Sequence, residues 1–381
     1  MYLEEYEKLI KKYIDKYSLK LKNIEKEYFE CMCNFTMEKM KNIMFNHREI
    51  IKNIIYEVIN EFNELKNIKC CIILNGSFAR GSNTLYSDLD LNYFYENKYL
   101  DKMINVENKV NYILQKILKF KGKDRIHSMV VYLPLISNKQ YNFIFTNRYP
   151  IYFNDQIIYI NCRENAQKLM YETYNSTRNI NDLICYLNEN DNKLNLNEWA
   201  NCFELIYDNN LNGEYKEKRI IFKSSENILA HIKKIIKSID NDNNYLKENL
   251  KIVSIKDLKL YYKMLVFHNF YDFLAIYFRL YSKLDSINIR NLEDENIGIS
   301  KEIYNDFYYH LNLIQKLQYL LNLKNLDLSF HSTKSISLNE INKNNNEFFN
   351  SENIIRELNI SKKRIYNDCK TALQKEVNKY E

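Results

Sequence analysis

Hydrophobic positions along the chain follow two periods, which predict two kinds of element. Apolar residues recur every three or four positions, the spacing of helices that bury one face, over 47–66, 100–118, 256–284 and 301–323. The charged segments at the two ends, 2–46 and 351–379, are also helical in pattern. Short apolar runs predict strands at 69–74, 89–94, 129–136, 142–146 and 156–161. Strands clustered within a helical chain indicate an α+β fold.

The order of these elements predicts how the chain is organised. We expect a small mixed β-sheet core with N-terminal helices, followed by an α-helical bundle domain. The chain contains only two prolines and five glycines, which favours long uninterrupted helices. The predicted parts are an N-terminal helical segment, the core, the helical domain, and a linker with a C-terminal helical tail: 1–46, 47–165, 166–330 and 331–381.

One stretch, 70–91, carries the candidate chemistry. Gly76 and Ser77 end its first apolar run, and a Gly-Ser turn at a helix start offers backbone N–H groups and a hydroxyl to a phosphate. Asp88 and Asp90 flank Leu89 in the next run, and alternate residues of a strand share one face. Two carboxylates on one face suit Mg²⁺, which takes one or two carboxylates plus phosphate oxygens. The alternative is a surface turn and a half-buried strand with two solvated aspartates.

This order of residues resembles the signature of the polymerase-β-like nucleotidyltransferases: Gly-Ser, a short helix with Arg and Gly, then Ser-Asp-x-Asp on the next strand. The resemblance implies that 47–165 is a nucleotidyltransferase core. It also implies that Gly76 and Ser77 hold a triphosphate and that Asp88 and Asp90 hold Mg²⁺ or Mn²⁺. Gly76 is expected to let phosphate approach the backbone. Arg80 is either a further phosphate contact or a solvated helix residue.

The same resemblance implies a third carboxylate on a later strand, and the sequence offers no clear one. The run 129–136 contains no acid. Asp124 and Asp155 flank predicted strands, and Glu96 follows the Asp-x-Asp strand, but each is alternatively a solvated loop residue. Either the third ligand comes from a loop or the enzyme works with two carboxylates.

A second resemblance concerns the C-terminal half. The run 253–259, the long helix ending at 277–280 and the helix through 314–318 are similar to the helical domain of the uridylyltransferases that modify the nitrogen regulatory protein PII. The resemblance implies a protein side chain as acceptor and a role for Lys256 near the triphosphate. Lys256 is alternatively an exposed residue in the first turn of a helix. The chain has no His-Asp dipeptide, so the hydrolytic domain of the PII enzyme is not implied.

Charge and composition exclude few classes of binding partner. The formal net charge is +6 without a dense basic block, so nucleic acid is permitted as a partner but not indicated. The eight cysteines form no four-ligand zinc pattern. A charged N-terminus and the lack of an apolar run of transmembrane length predict a cytoplasmic protein without a membrane partner.

These observations predict an enzyme that transfers a nucleoside monophosphate from a nucleoside triphosphate such as ATP to an acceptor and releases pyrophosphate. A protein side chain is the first choice of acceptor, and a small molecule or an RNA 3′ end stays open. A different class of protein also stays open, namely a regulator or antitoxin that binds a nucleotide without catalysing a reaction.

Overall fold

A computed structural model describes most of the helices and the sheet. The described residues are 2–87, 89–95, 99–118, 126–132, 144–153, 156–161, 204–210, 228–244, 252–254, 262–263, 265–284, 287–323, 335–337 and 350–381. They form a mostly helical α+β protein, which confirms the predicted class. The chain divides into two compact units. The first comprises Met1–Asn23, Asn46–Asn83 and Ser87–Ser224, and the second comprises Ile24–Phe45, Thr84–Tyr86 and Ser225–Glu381.

The sheet belongs to the first unit. Its strands are β1 (Cys70–Asn75), β2 (Leu89–Tyr95), β3 (Ile126–Tyr132), β4 (Ile144–Phe153), β5 (Gln156–Asn161) and β6 (Glu204–Asn209). They lie in the order β5-β4-β3-β2-β1-β6, with β2 and β3 parallel and the other neighbours antiparallel. The mixed sheet is therefore as predicted. Helices at the beginning of the chain and after β1 and β2 accompany it: α1 (Tyr2–Cys33), α2 (Met37–Asn60), α3 (Gly76–Arg80) and α4 (Leu100–Leu118).

Alternation along β1 and β2 builds the core of this unit. Every second residue of each strand is buried in one apolar cluster with α2 and α4: Cys70, Ile72 and Leu74 from β1, and Leu89, Leu91 and Tyr93 from β2. Tyr13 and Tyr17 of α1 join the same cluster. Asp90, between Leu89 and Leu91, therefore lies on the opposite face of β2.

The second unit is a helical bundle. It contains α5 (Ile228–Asn244), α6 (Leu265–Tyr281), α7 (Ile289–Glu295), α8 (Lys301–Leu323) and α9 (Ser351–Tyr380). A small antiparallel pair, β7 (Ile252–Ser254) and β8 (Ser335–Ser337), accompanies them. The helix α9, which we predicted as a tail after the helical domain, packs against α8, α5 and α6 within the same unit. The predicted helix at 301–323 has the bounds of α8.

The first helices differ from the prediction. We expected one helical segment over 2–46 and a second helix from 47, but α1 ends at Cys33 and α2 begins at Met37. The Thr36 hydroxyl accepts a hydrogen bond from the backbone N–H of Lys39 at 3.2 Å, so Thr36 caps the start of α2. The predicted segment 1–46 also divides between the units, because Tyr13 packs in the first core and Met32 in the second. The predicted boundary at 165 lies outside the described residues.

Two neighbouring thiols lie in β1, which is flanked by β2 and β6. Cys70 and Cys71 are both buried, which agrees with their expected role as small apolar residues. Burial raises the pKa of Cys70 to about 12 and raises that of Cys71 as well. Among the helices in the described part of the chain, none is both long enough and apolar enough to cross a membrane.

Candidate functional site

The stretch singled out in the sequence folds as a strand, a short helix and a strand. β1 ends at Asn75, α3 begins at Gly76, and the chain returns along β2 from Leu89. β1 and β2 are antiparallel, and Asn75 is the register partner of Asp90. The start of α3 and Asp90 consequently lie at the same end of the β1–β2 pair.

Gly76 has no room for a side chain. Its φ is +65°, a region that residues with a β-carbon rarely adopt. A β-carbon built on Gly76 would overlap Oδ2 of Asp90 and lie 2.9 Å from its Cγ. In the structure, the Asp90 carboxylate lies directly against the backbone of this glycine. The approach of a phosphate to Gly76 stays a prediction.

Gly81, the second glycine of the stretch, has a different role. It follows α3 with a φ of +73°. The N–H of Gly81 bonds the carbonyl of Phe78 at 3.4 Å, and the N–H of Ser82 bonds that of Ser77 at 2.9 Å. This pair of bonds is a Schellman motif, which ends a helix with a left-handed glycine. Gly81 therefore terminates α3.

The predicted site residues fall into two groups. Gly76 and Asp90 are in contact distance, Ser77 follows Gly76 and is buried, and Arg80 is half-buried at the end of α3. Asp88 and Lys256 lie outside the described residues, as do the three candidates for a third carboxylate, Glu96, Asp124 and Asp155.

The strands beside Asp90 do not provide another acid next to it. Its register partners are Asn75 on β1 and His127 on β3. Glu204, at the start of β6, pairs in register with Leu74, whose side chain lies in the core on the other face of the sheet. Glu204 forms an ion pair with Arg48 and another with Lys52 at 2.5 Å. Glu204 therefore anchors α2 and does not face Asp90.

A buried histidine supports α3 from α2. The ring of His47 meets the ring of Phe78 edge-on, with the centroids 5.2 Å apart. The amide of Asn83 donates to Nδ1 of His47 at 3.4 Å. Burial lowers the pKa of His47 to about 3, so the imidazole is neutral at physiological pH. Sequence reasoning missed this residue, although its spacing of four from Ile43 and from Ile51 puts it on the apolar face of the helix.

The donor set agrees with a hard cation. A carboxylate oxygen is the ligand type that Mg²⁺ and Mn²⁺ prefer, and Asp90 holds such an oxygen against a backbone that has no side chain. Among the described residues, no group of three or more His, Cys, Asp or Glu side chains is arranged to hold a metal ion. Of the two predicted metal ligands, Asp90 lies among the described residues and Asp88 does not.

No protein-family model matches the chain, and no characterised protein gives a significant match.

Proposed function

We propose that the protein transfers a nucleoside monophosphate from a nucleoside triphosphate to an acceptor, with Mg²⁺ or Mn²⁺. The observation that carries the proposal is the Asp90 carboxylate of β2 packed against the side-chain-free backbone of Gly76, where β1 ends and α3 begins. The sequence signature in the same stretch gives it further support. A carboxylate against a backbone turn suits a metal-bound triphosphate.

The proposed reaction needs positioning and charge stabilisation. An acceptor oxygen forms a bond to the α-phosphorus, the bond from that phosphorus to the β-phosphate oxygen breaks, and pyrophosphate leaves. A bound Mg²⁺ supplies neutralisation of the phosphate charge. Asp88 and Asp90 are the proposed metal ligands. Gly76 and Ser77 are proposed to bind the triphosphate through their backbone, and Arg80 and Lys256 to contribute positive charge.

A label-transfer experiment tests the proposal. The purified protein is incubated with each labelled triphosphate, Mg²⁺ or Mn²⁺ and a cell lysate, and the labelled product is identified. We expect transfer by the native protein and none by the double variant Asp88→Asn/Asp90→Asn. Asp208→Asn is the matched control, because Asp208 is an exposed acid on the same sheet, opposite Cys71. Transfer by the double variant at the native rate would refute the site.

A protein side chain is our first choice of acceptor, because of the resemblance in the helical half. The same experiment separates it from the others. Label in a protein band, in a small metabolite or at an RNA 3′ end identifies the acceptor class directly.

A second candidate function is nucleotide binding without turnover, as in a regulator or antitoxin. It is favoured by the register neighbours of Asp90, Asn75 and His127, neither of which is an acid. Binding of labelled triphosphate without release of pyrophosphate, in the presence of metal and lysate, would select this candidate over transfer.

A further inference from the structure

One face of α8, a helix of the second unit, is polar although it is buried. Tyr304, Tyr308, Asn312 and Gln315 follow one another at spacings of four, four and three residues, which places them on one side of the helix. The two tyrosines are each 1% exposed, and Asn312 and Gln315 have no exposed surface at all. Asparagine and glutamine are mostly exposed in proteins, so two neighbouring buried amides are unusual.

The amide of Asn312 makes none of its possible hydrogen bonds. Neither Oδ1 nor Nδ2 has a partner in the part of the chain that the structure describes. Exchanging the positions of the two atoms would not change this, because both are unbonded. A buried polar group without a partner lowers the free energy of unfolding, so packing alone does not explain this residue.

Gln315 adds a donor whose orientation is fixed. Its Oε1 accepts a hydrogen bond at 3.2 Å from the backbone N–H of Leu85, which belongs to the same unit. Because an N–H group needs an acceptor, this contact identifies the oxygen and leaves the nitrogen, Nε2, on the other side of the amide. Nε2 is buried and bonds no other described residue. The two side chains together therefore present one acceptor and two donor atoms without partners.

These three atoms define the chemistry of a ligand. Both side chains are neutral, and burying an unpaired charge is costly, which favours a neutral molecule. An amide group satisfies all three atoms. Its N–H donates to Oδ1 of Asn312, and the two lone pairs of its carbonyl oxygen accept from Nδ2 of Asn312 and from Nε2 of Gln315. An acceptor with a single lone pair would leave one of the two donors unbonded.

We propose that Asn312 and Gln315 form a binding site for a small neutral molecule that carries an amide group, either a primary carboxamide or a lactam. The site is independent of the proposed nucleotidyl transfer, because both residues belong to the second unit. Asn312 has no exposed surface, so the bound molecule is enclosed and enters when the surrounding structure opens transiently.

Pairs of small molecules with and without an amide N–H test the site. Calorimetry on the full-length protein compares nicotinamide with methyl nicotinate, and caprolactam with N-methylcaprolactam, at millimolar concentration. The second member of each pair keeps the carbonyl oxygen but has no N–H to donate to Oδ1 of Asn312. We expect nicotinamide, caprolactam or both to bind and to raise the melting temperature, and the matched molecule to bind about tenfold more weakly or not at all. Binding of only one of the two identifies a carboxamide or a lactam as the ligand class.

Substitutions separate the site from the fold. Asn312→Leu removes two of the three atoms and should weaken amide binding on the order of 10–100-fold. The variant should fold, because Asn312 makes no hydrogen bond to another described residue. Gln315→Leu removes one donor and should weaken binding by about tenfold or less. Asn269→Leu is the control, because Asn269 is a buried amide of the same unit whose oxygen and nitrogen are both hydrogen-bonded. It should leave the affinity for the amide unchanged.

Three results would overturn the proposal. The first is a native protein that binds neither nicotinamide nor caprolactam, as expected if only a water molecule occupies the three atoms. The second is equal affinity for an amide and for its matched molecule without the N–H. The third is undiminished binding by Asn312→Leu. Label transfer by the native protein decides the proposed nucleotidyl transfer separately, so either proposal can fail without the other.

Discussion

Each unit contains a glycine in the left-handed region just before or at the start of a helix, and the two glycines have opposite surroundings. Gly76 begins α3 with a φ of +65°, and Gly298 precedes α8 with a φ of +85°. At Gly298 nothing lies within 4 Å of the place where a β-carbon would stand, whereas at Gly76 the Asp90 carboxylate fills it. Both positions have a positive φ, which favours glycine. Only at Gly76 would a side chain also collide with a neighbouring residue, Asp90. A positive φ alone accounts for Gly298, whereas Gly76 also leaves the space that the Asp90 carboxylate occupies.

Alanine at the two glycines gives the largest expected difference. Both substitutions place a β-carbon at positive φ, which costs roughly 1–2 kcal/mol. Gly76→Ala must also displace the Asp90 carboxylate, so we expect a total loss of unfolding free energy of roughly 2–5 kcal/mol. Misplacing a metal ligand should reduce transfer on the order of 100-fold. Urea unfolding and label transfer measure the two effects.

Gly298→Ala is the control for this pair and should retain full transfer. Equal losses of stability and activity in the two variants would show that the Asp90 contact contributes nothing.

Removing the carboxylate should relieve the crowding at Gly76. In a double-mutant cycle, Asp90→Ala in the Gly76→Ala background should recover stability, with a coupling of roughly 1–3 kcal/mol, while transfer remains lost. The cycle of Asp90→Ala with Gly298→Ala should be additive, because a β-carbon at Gly298 would meet nothing within 4 Å among the described residues. Additivity in both cycles would contradict the geometry at Gly76.

Each unit also contains a buried histidine, which should make its stability depend on pH. Burial lowers the pKa of His47 in the first unit to about 3 and that of His310 in the second to about 4. The unfolded chain protonates near pH 6.5, so it binds more protons than the folded protein below that pH. Above pH 6.5 both histidines are neutral in the folded and the unfolded chain, and the free energy of unfolding has its full value. As the pH falls below 6.5, protonation of the unfolded chain lowers that free energy, by about 2 kcal/mol per histidine between pH 7 and 5.

Substitution separates the contribution of each histidine. His47→Gln should remove about 2 kcal/mol of the pH dependence of unfolding between pH 7 and 5. His310→Gln should remove a similar share, although it also perturbs the bonds of His310 to Ser361 and to the Tyr262 carbonyl. Urea unfolding at both pH values measures this. A pH dependence that neither variant changes would contradict neutral burial.

Two buried asparagines give the smallest expected effect, and one of opposite sign. Asn269 bonds Asp242 at 2.5 Å, Tyr366 at 3.0 Å and Ser238 at 3.0 Å. Neither amide atom of Asn312 has a hydrogen-bond partner in the described structure. An unsatisfied buried group costs roughly 1–3 kcal/mol, so Asn312→Leu should raise the unfolding free energy by about 1 kcal/mol, whereas Asn269→Leu should lower it. Thermal melts of the two variants decide the sign, and a destabilised Asn312→Leu would contradict the assignment.

Sequence reasoning succeeded where the determining interactions are local. The helices at 100–118 and 301–323 have the predicted bounds, because each apolar stripe is complete within its own segment. The break before Met37 was missed, since it depends on a single cap at Thr36 within an otherwise helical pattern.

The candidate site was only half predictable for the same reason. Its residue types were visible in the sequence, but the contact of Gly76 with Asp90 depends on the register of β1 with β2.

The buried thiols at the start of β1 have a consequence for labelling chemistry. Only a thiolate reacts rapidly with an alkylating reagent, and Cys70 and Cys71 are buried in β1 with raised pKa values. Each thiol can therefore react only when β1 separates from its neighbouring strands. Cys33, which is exposed at the end of α1, should react without such opening. The alkylation rate of this pair then measures how often β1, the strand that leads into Gly76, separates from β2 and β6.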